Sequence, residues 1–185
     1  MIVAIVVGLA AAFGAPLGER ANPGMSPNPA KAPWYFVGFQ ELLIHLHPTF
    51  AVLIIPLLAA AGFVLLPYLT ADHESHGSWF LSPVGRRTSA LAAAAAVLAT
   101  PLLVILDDRF GGGTSSWLTG GLLPLLMLAF AVVGLAALAR SRYGASTNVT
   151  AQAVVVLLAV AFGVLTLIGV WFRGEGMSLI WPWEP

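Results

Sequence analysis

Long stretches without a single formal charge constrain this sequence more than any other feature. An α-helix needs about 20 predominantly apolar residues to cross the hydrocarbon core of a bilayer. Charged or turn residues bound five apolar, uncharged segments, which cover residues 2–15, 50–69, 90–106, 121–139 and 154–172. The last four are long enough to predict spanning helices.

The first segment is shorter and has two interpretations. Residues 2–15 could form the core of a signal peptide or a short retained helix. A signal peptide carries a basic region ahead of its apolar core, and no Lys or Arg precedes this one. A retained helix is therefore favoured, which brings the predicted number of spans to about five.

The overall composition agrees with a membrane protein. Apolar residues make up 59% of the 185 residues and charged residues only 9%, whereas about a quarter of an ordinary soluble domain is charged. The formal net charge is zero, so nothing suggests a nucleic-acid partner. The chain has no cysteine, which excludes disulfides, thiolate metal sites and covalently attached haem. We expect one all-α integral membrane domain, a helical bundle over residues 1–185.

The positions of the basic residues suggest an orientation. If all five segments span, residues 18–48, residues 107–120 and the tail after residue 172 share one side of the membrane. The other side holds two tight arginine pairs near helix ends, Arg86 with Arg87 and Arg140 with Arg142. Because basic residues near helix ends mark the cytoplasmic side, segment 18–48 is expected on the outer side.

The interiors of the apolar segments argue against two kinds of membrane function. No ionisable residue lies near the middle of any of them, and intramembrane charges usually mark the pathway of a pump or channel. All four histidines lie in connecting segments, whereas a buried bis-histidine haem needs imidazoles on facing helices. We therefore expect any haem b to lie on a partner chain.

The stretch "NPAKAPWYFVGFQELLIHLHP", residues 28–48, carries the polar groups of chemical interest. Its prolines favour an extended approach, and a helix over about residues 33–47 would place Trp34, Glu41 and His45 near one face. This helix is too interrupted to span and too apolar for a free loop. We expect a short interfacial or re-entrant helix.

Three other polar stretches have simpler interpretations. "ADHESHG", residues 71–77, has two histidines in a short polar loop without further ligands, so no metal site is predicted. Asp107, Asp108 and Arg109 are expected to cap and end the third span in water. The glycines at residues 111–113 follow no strand and lack phosphate-loop spacing, so they predict a connector.

Two motifs resemble the C-terminal half of cytochrome b, which is the separate subunit IV of cytochrome bf complexes. "GERANPGMSPNPAKAPWYFVGFQELL" is similar to the segment that joins the first two helices of that half, and "SPVGRRTSALAA" is similar to the turn that opens its next helix. The first match rests on Gly18, Glu19, Ala21 and Pro23 in a turn, Trp34 and Tyr35 at the end of a PEWY motif, and Phe39 with Gln40. The resemblance covers about residues 10–106, and residues 107–185 add two helices and an aromatic tail.

The resemblance implies a quinol-oxidising, cytochrome bc-type complex in an energy-transducing membrane, expected to be a bacterial inner membrane. In that family, quinol gives one electron to a Rieske-type iron–sulfur protein and one to haem b. The implied partners are a haem-bearing cytochrome b N-terminal-half subunit, the Rieske-type protein, a c-type cytochrome and the bilayer. The implied quinone-binding residues here are Pro33, Trp34, Tyr35, Phe39 and Gln40.

The sequence departs from the family at one important position. Pro33 stands where the PEWY motif has a glutamate that is thought to take a quinol proton. Quinol oxidation needs a proton acceptor within hydrogen-bond reach, and Glu41 is the nearest carboxylate. We hypothesise that Glu41, with its pKa raised by partial burial, replaces this acid, and that His45 or His47 relays the proton outward.

Less specific interpretations stand beside this hypothesis. Glu41 and His45 could be an ordinary i,i+4 pair at the water boundary, and Trp34 and Tyr35 could be interfacial anchors. The chain could then be a structural or assembly subunit without a working quinone site. A small transporter, with Glu41, His45 and His47 as its gate, is a further alternative.

Overall fold

The computed structural model describes residues 2–12, 24, 30–69, 79–110, 116–181 and 183, and this part of the chain is almost entirely helical. Its α-helices are α1 (Ile2–Ala12), α2 (Val37–His45), α3 (Ile55–Leu69), α4 (Pro83–Phe110), α5 (Leu123–Tyr143) and α6 (Thr147–Trp171). Two π-helical turns, Phe50–Ile54 and Leu118–Leu122, lead into α3 and α5. The prediction of an all-α fold is confirmed for the described residues, whose only β-type pairing joins Arg173 to Leu179.

Three helices are long and apolar enough to cross a membrane. They are α4 with 28 residues, the continuous helix Leu118–Tyr143 with 26, and α6 with 25. The apolar helix that begins at Phe50 is shorter, as is α1 with its 11 residues. A membrane helical bundle is therefore compatible with the fold, while the five spans stay a prediction.

Helix α4 extends beyond its apolar run at both ends. The helix begins at Pro83, where proline lacks an N–H that would have no partner, and the hydroxyl of Ser82 accepts a hydrogen bond from Gly85 N–H at 2.9 Å. At the other end the helix continues to Phe110. Asp107 and Asp108 lie on its last turn, exposed as expected at the end of this helix, and their carboxylates also form ion pairs that the sequence did not predict.

Helices α4 and α6 run parallel and form the centre of the fold. Gly85 lies near Val149 at one end of the pair, and Asp108 meets Arg173, just past α6, at the other. Between them is a core cluster of small and apolar side chains, Ala92, Ala96, Ala153 and Leu157. Small residues allow the close helix approach that membrane bundles use.

Helix α5 follows α4 and precedes α6 in the sequence, and it runs antiparallel to both. It ends at Gly144, whose φ of 59° lies in the left-handed region that favours glycine. Ser146 then caps α6 by accepting a hydrogen bond from Val149 N–H. The cap explains why α6 starts at Thr147, well before the predicted apolar run that begins at residue 154.

The two π-helical turns pack against each other. Phe50, from the first turn, is 2% exposed, and its ring lies edge-on to Trp117 with centroids 4.9 Å apart. A side chain at Gly121, in the second turn, would overlap the Phe50 ring. His47 N–H also donates to the Gly120 carbonyl at 2.7 Å. These contacts fix the chain between α2 and α3 to the start of the α5 helix.

Candidate functional site

Helix α2 docks on the C-terminal part of α6 through close contacts. Val37 is completely buried, and the Phe39 ring lies edge-on to Phe162 at a centroid distance of 4.9 Å. A Cβ at Gly38 would lie 2.5 Å from the Thr166 hydroxyl oxygen, so only glycine permits this approach. This tight packing holds α2, the helix that carries Glu41 and His45, in one position against α6.

The proline-rich approach to α2 is fixed by side-chain amide and ammonium groups. The Gln40 amide donates to Ala30 O and accepts from Ala32 N–H, both at 2.7 Å. Lys31 Nζ donates to the Val170 carbonyl at 2.5 Å and to the Arg173 carbonyl at 3.2 Å. A cation there is favourable because the end of a helix exposes unpaired carbonyls and partial negative charge.

Five charged or titratable side chains, hereafter the charged cluster, meet where α2, the end of α4 and the segment after α6 converge. They are Glu41, His45, Asp107, Asp108 and Arg173. Glu41 is completely buried and Arg173 is 3% exposed. Asp107 and Asp108 are partly open to solvent, with side chains 44% and 37% exposed. The cluster therefore reaches from the interior to the surface.

Arg173 holds the cluster together. Its Nε donates to the two Glu41 oxygens at 3.0 and 3.2 Å, and its Nη2 donates to Glu41 Oε2 at 3.0 Å. Nη1 donates to Asp108 Oδ1 at 3.2 Å and to the Met177 carbonyl at 3.1 Å. Multiple charge-assisted bonds of this kind compensate the large cost of removing both charges from water.

A tight reversal of the chain after α6 places the Arg173 guanidinium. Arg173 pairs with Leu179 as an antiparallel bridge, and Gly174 N–H donates to the Ser178 carbonyl at 3.0 Å. The turn between them uses a left-handed backbone at Gly176, with φ 67°, and at Met177, with φ 59°. The backbone of this turn thus supplies one acceptor for Arg173 and directs the rest of the guanidinium toward α2.

The hydrogen bonds of His45 define its tautomer. Nε2 lies 2.8 Å from Arg173 Nη2, and Nδ1 lies 2.6 Å from Asp107 Oδ2. A guanidinium can only donate, so Nε2 accepts and Nδ1–H donates to Asp107. This assignment follows from the network, and it describes a neutral imidazole oriented by a carboxylate.

The pKa of Glu41 moves in the direction opposite to the sequence-based expectation. Burial alone raises it, but the hydrogen bonds that Glu41 accepts from protonated His45 and from Arg173, together with the Arg173 charge, outweigh burial and hold the pKa of Glu41 below its ordinary value. The expected upward shift is therefore wrong, because it assumed burial without a cationic partner. Glu41 is an ionised anchor of the cluster at neutral pH.

The pKa of His45 is raised above its ordinary value. Burial lowers it, but the hydrogen bonds with Glu41 and Asp107 raise the pKa of His45 by more, against the opposing charge of Arg173. A proton on Nε2 would place two N–H donors 2.8 Å apart, so protonation requires the imidazole ring to rotate toward Glu41 Oε2, which lies 3.5 Å from Nε2. Protonation of His45 therefore changes its hydrogen-bond partners within the charged cluster.

These two shifts predict how stability depends on pH. The stabilisation from Glu41 is present above its unfolded pKa of about 4.5 and is lost as pH falls through its lowered folded pKa. The stabilisation from His45 is complete below its unfolded pKa of about 6.5 and is lost as pH rises through its raised folded pKa. We expect the highest unfolding temperature between these two pH values.

The measurement is thermal unfolding in detergent from pH 4 to pH 9, for the original chain and two variants. His45→Gln should remove most of the decline on the alkaline side. His47→Gln is the matched control, because His47 lies outside the charged cluster, and it should keep that decline. A decline of equal size in both variants would show that His45 is not its source.

Of the aromatic residues proposed to contact quinone, Trp34 and Tyr35 lie at the surface beside Phe36, whereas Phe39 is 38% exposed and its ring packs on Phe162. Trp34, Tyr35 and Phe36, hereafter the aromatic face, are 72%, 63% and 55% exposed. The carbonyl of Pro33 accepts hydrogen bonds from Phe36 and Val37 N–H at 2.8 and 3.0 Å, so these exposed rings stand on a defined turn. Exposed aromatic side chains at this position suit either an anchor at the membrane interface or a contact with a ligand or partner.

The structure thus brings together some predicted site residues and separates others. Glu41 and His45 share one face, as expected, with 3.5 Å between Oε2 and Nε2. Trp34 is exposed and does not share that buried face, and the Gln40 amide is used by the backbone of residues 30 and 32. The sequence-based reasoning missed Arg173, Asp107 and Lys31 as partners of this segment.

Several other expectations fall on residues outside the described part of the chain. They are the turn at residues 18–23, the polar loop at 71–77 and the glycines at 111–113. Within the described residues, no group of three histidine or acidic side chains could hold a metal ion.

Comparison with known proteins identifies no related protein. No protein-family model matches the chain, and neither a curated protein nor a solved structure shows significant similarity to it.

Proposed function

We propose that the chain is a membrane subunit of a quinol-oxidising, cytochrome bc-type complex, and that the aromatic face forms one wall of its quinol pocket. The observation that carries the proposal is the exposed aromatic face on a hydrogen-bonded turn directly before α2, whose His45 contacts Arg173 and Asp107. The resemblance to the C-terminal half of cytochrome b supports the same assignment. Chains that carry haem b complete the pocket.

The proposed chemistry separates electrons from protons. Oxidation of a quinol to a quinone releases two electrons and two protons; haem b and a Rieske-type iron–sulfur protein on partner subunits would accept the electrons, and one proton would leave to a base on those partner subunits. The other proton passes to His45, whose raised pKa suits a base that works near neutral pH. Asp107, which accepts from Nδ1–H and is partly exposed, leads that proton to water. A c-type cytochrome receives electrons later.

In this proposal Glu41 is a positioning residue. Its carboxylate is fixed by Arg173, and its hydrogen bond with His45 favours the protonated form of that imidazole. His45 therefore takes the task that the sequence alone suggested for Glu41. The charged cluster then faces the outer side of a bacterial inner membrane, and the arginine pairs face the cytoplasm.

The proposal is tested on the native complex, purified through an affinity tag on this chain. We expect b-type haem in the optical spectrum and quinone in the extracted lipid. His45→Gln should lower quinol oxidation by roughly 100-fold, within the range for loss of a general base, and should remove a pH dependence near neutrality. His47→Gln is the control. Purification of the chain with neither haem nor quinone would overturn the proposal.

A second pair of variants tests the aromatic face. Tyr35→Ala should raise the KM for quinol several-fold and weaken binding of a quinol-site inhibitor. Tyr68→Ala, in α3, is the matched control because Tyr68 is 79% exposed and distant in sequence from the aromatic face. Equal effects of the two substitutions would argue against a quinol contact at Tyr35.

A structural or assembly subunit is the second candidate function. It is favoured by how completely the donors of Arg173 are used, since all three guanidinium nitrogens bond within the charged cluster and its turn. Such a network can serve only to tie α2 to α4 and α6. In that case His45→Gln lowers stability but leaves quinol turnover per folded complex unchanged.

A further inference from the structure

A shallow groove of about 400 Å³ opens between α4 and α6, at the end of the fold opposite the charged cluster. Its lining residues are Phe80, Arg86, Ser89, Ala90, Ala93 and Val156. Except for Arg86 and the Ser89 hydroxyl, the wall is apolar. This groove, hereafter the α4–α6 groove, therefore combines one cation and one hydroxyl with a surface that suits hydrocarbon.

The Ser89 hydroxyl has no hydrogen-bond partner among the described residues, although Ser89 is 4% exposed. The neighbouring Thr88 shows the usual solution within a helix, since its hydroxyl donates to the Val84 and Gly85 carbonyls at 2.9 and 3.2 Å. An unsatisfied buried hydroxyl costs about 1–3 kcal/mol. A ligand oxygen in the groove would give the Ser89 hydroxyl the partner that it lacks.

The charge around the groove favours an anion. Arg86, on the groove, is exposed, as are Arg87, Arg140 and Arg142 at the same end of the helices. None of these four has an ion-pair partner within the described part of the chain. The acids nearest in sequence, Asp72 and Glu74, lie in the stretch outside the described residues. An anion at Arg86 would meet positive potential with little competition from described acids.

The residue at the rim has an unusual backbone. Phe80 has a φ of 59°, a left-handed conformation that is costly for a bulky residue and often accompanies a functional contact. Its ring lies 5.9 Å from that of Trp79, centroid to centroid. Aromatic residues of this kind sit at the headgroup level of a bilayer, which places the mouth of the groove at that depth.

We propose that the α4–α6 groove binds a phospholipid with an anionic headgroup. Arg86 pairs with the phosphate, and the Ser89 hydroxyl, three residues or about 4.5 Å further along the helix axis, donates to an oxygen of the lipid. An acyl chain lies against Ala90, Ala93 and Val156. A lipid fits better than free phosphate because most of the wall is apolar and flanks helices long enough to span a membrane.

The test uses the full chain in detergent, stripped of lipid and titrated with phosphatidylglycerol, phosphatidylcholine or inorganic phosphate. We expect phosphatidylglycerol to raise the unfolding temperature more than phosphatidylcholine, and inorganic phosphate to have no effect. Arg86→Gln should weaken phosphatidylglycerol binding at least tenfold. Arg87→Gln, the adjacent arginine that does not line the groove, should bind as the original chain does. Equal losses in the two variants, or equal effects of the two lipids, would overturn the proposal.

A second variant separates lipid binding from folding. Ser89→Ala removes an unpaired hydroxyl, so without lipid its stability should be equal to or above that of the original chain. With phosphatidylglycerol present, the same variant should gain less stability than the original chain. A photoreactive residue at Ala90 should crosslink to lipid in membranes. Crosslinking to another protein helix instead would show that a partner subunit occupies the groove.

Discussion

Replacement of Arg173 by methionine should leave little folded protein, because Glu41 would keep its place without its counter-charge. Glu41 is completely buried, and Arg173 donates three hydrogen bonds to its carboxylate. Removing one partner of a buried ion pair costs about 3–5 kcal/mol. Since the whole stability of a domain is about 5–15 kcal/mol, we expect a large fall in folded yield and in unfolding temperature.

Two further variants identify the cause of that loss. Arg109→Met, on the last turn of α4, removes an exposed arginine and should change stability by less than about 0.5 kcal/mol. The double variant Glu41→Leu with Arg173→Met should recover much of the loss, because apolar replacement of both partners of a buried pair is often tolerated. If the double variant is as unstable as Arg173→Met alone, the buried charge is not the cause.

The sequence predicts some of the contacts in the charged cluster and not others. Helical spacing predicted that Glu41 and His45 share a face, and the 3.5 Å between them confirms it. The side-of-membrane argument also placed residues 41, 107, 108 and 173 on one side, which was the available signal for a cluster. The pairing itself was out of reach, because Glu41 and Arg173 are separated by 132 residues and only tertiary packing decides which side chains meet.

The sequence predicts that a helix exists more reliably than it predicts the residues at which the helix begins and ends. Hydropathy marks the part of a helix that suits hydrocarbon, whereas caps and ion pairs decide where the backbone turns end. Pro83 with Ser82 begins α4 before its apolar run, and Gly144 with Ser146 separates α5 from α6. A short helix is predicted over about residues 33–47, and the helix found there, α2, covers Val37–His45, since the Pro33 carbonyl first closes a turn at residues 34–36. Its position at the membrane interface stays a prediction.

The second large effect on stability is expected where α2 packs against α6. Two glycines of α6, Gly163 and Gly169, allow this contact to be tested. A Cβ at Gly169 would lie 2.7 Å from Val37 Cγ2 and 3.1 Å from Glu41 Cγ, whereas a Cβ at Gly163 would meet nothing within 4 Å. Both positions gain helix propensity on substitution by alanine. The difference between the two variants therefore isolates the contact with α2.

We expect Gly169→Ala to lower the free energy of unfolding by about 2–3 kcal/mol, the upper part of the usual range for an overpacked core, and Gly163→Ala to be neutral or stabilising. Because the new methyl group pushes on Glu41, α2 should shift and lengthen the bonds from Arg173 to that carboxylate. The pH dependence of unfolding should then change in Gly169→Ala and not in Gly163→Ala. Adding Val37→Ala should relieve part of the strain, because Val37 is the nearest side chain. Equal stability and equal pH profiles of the two glycine variants would mean that α2 does not pack against α6 at Gly169.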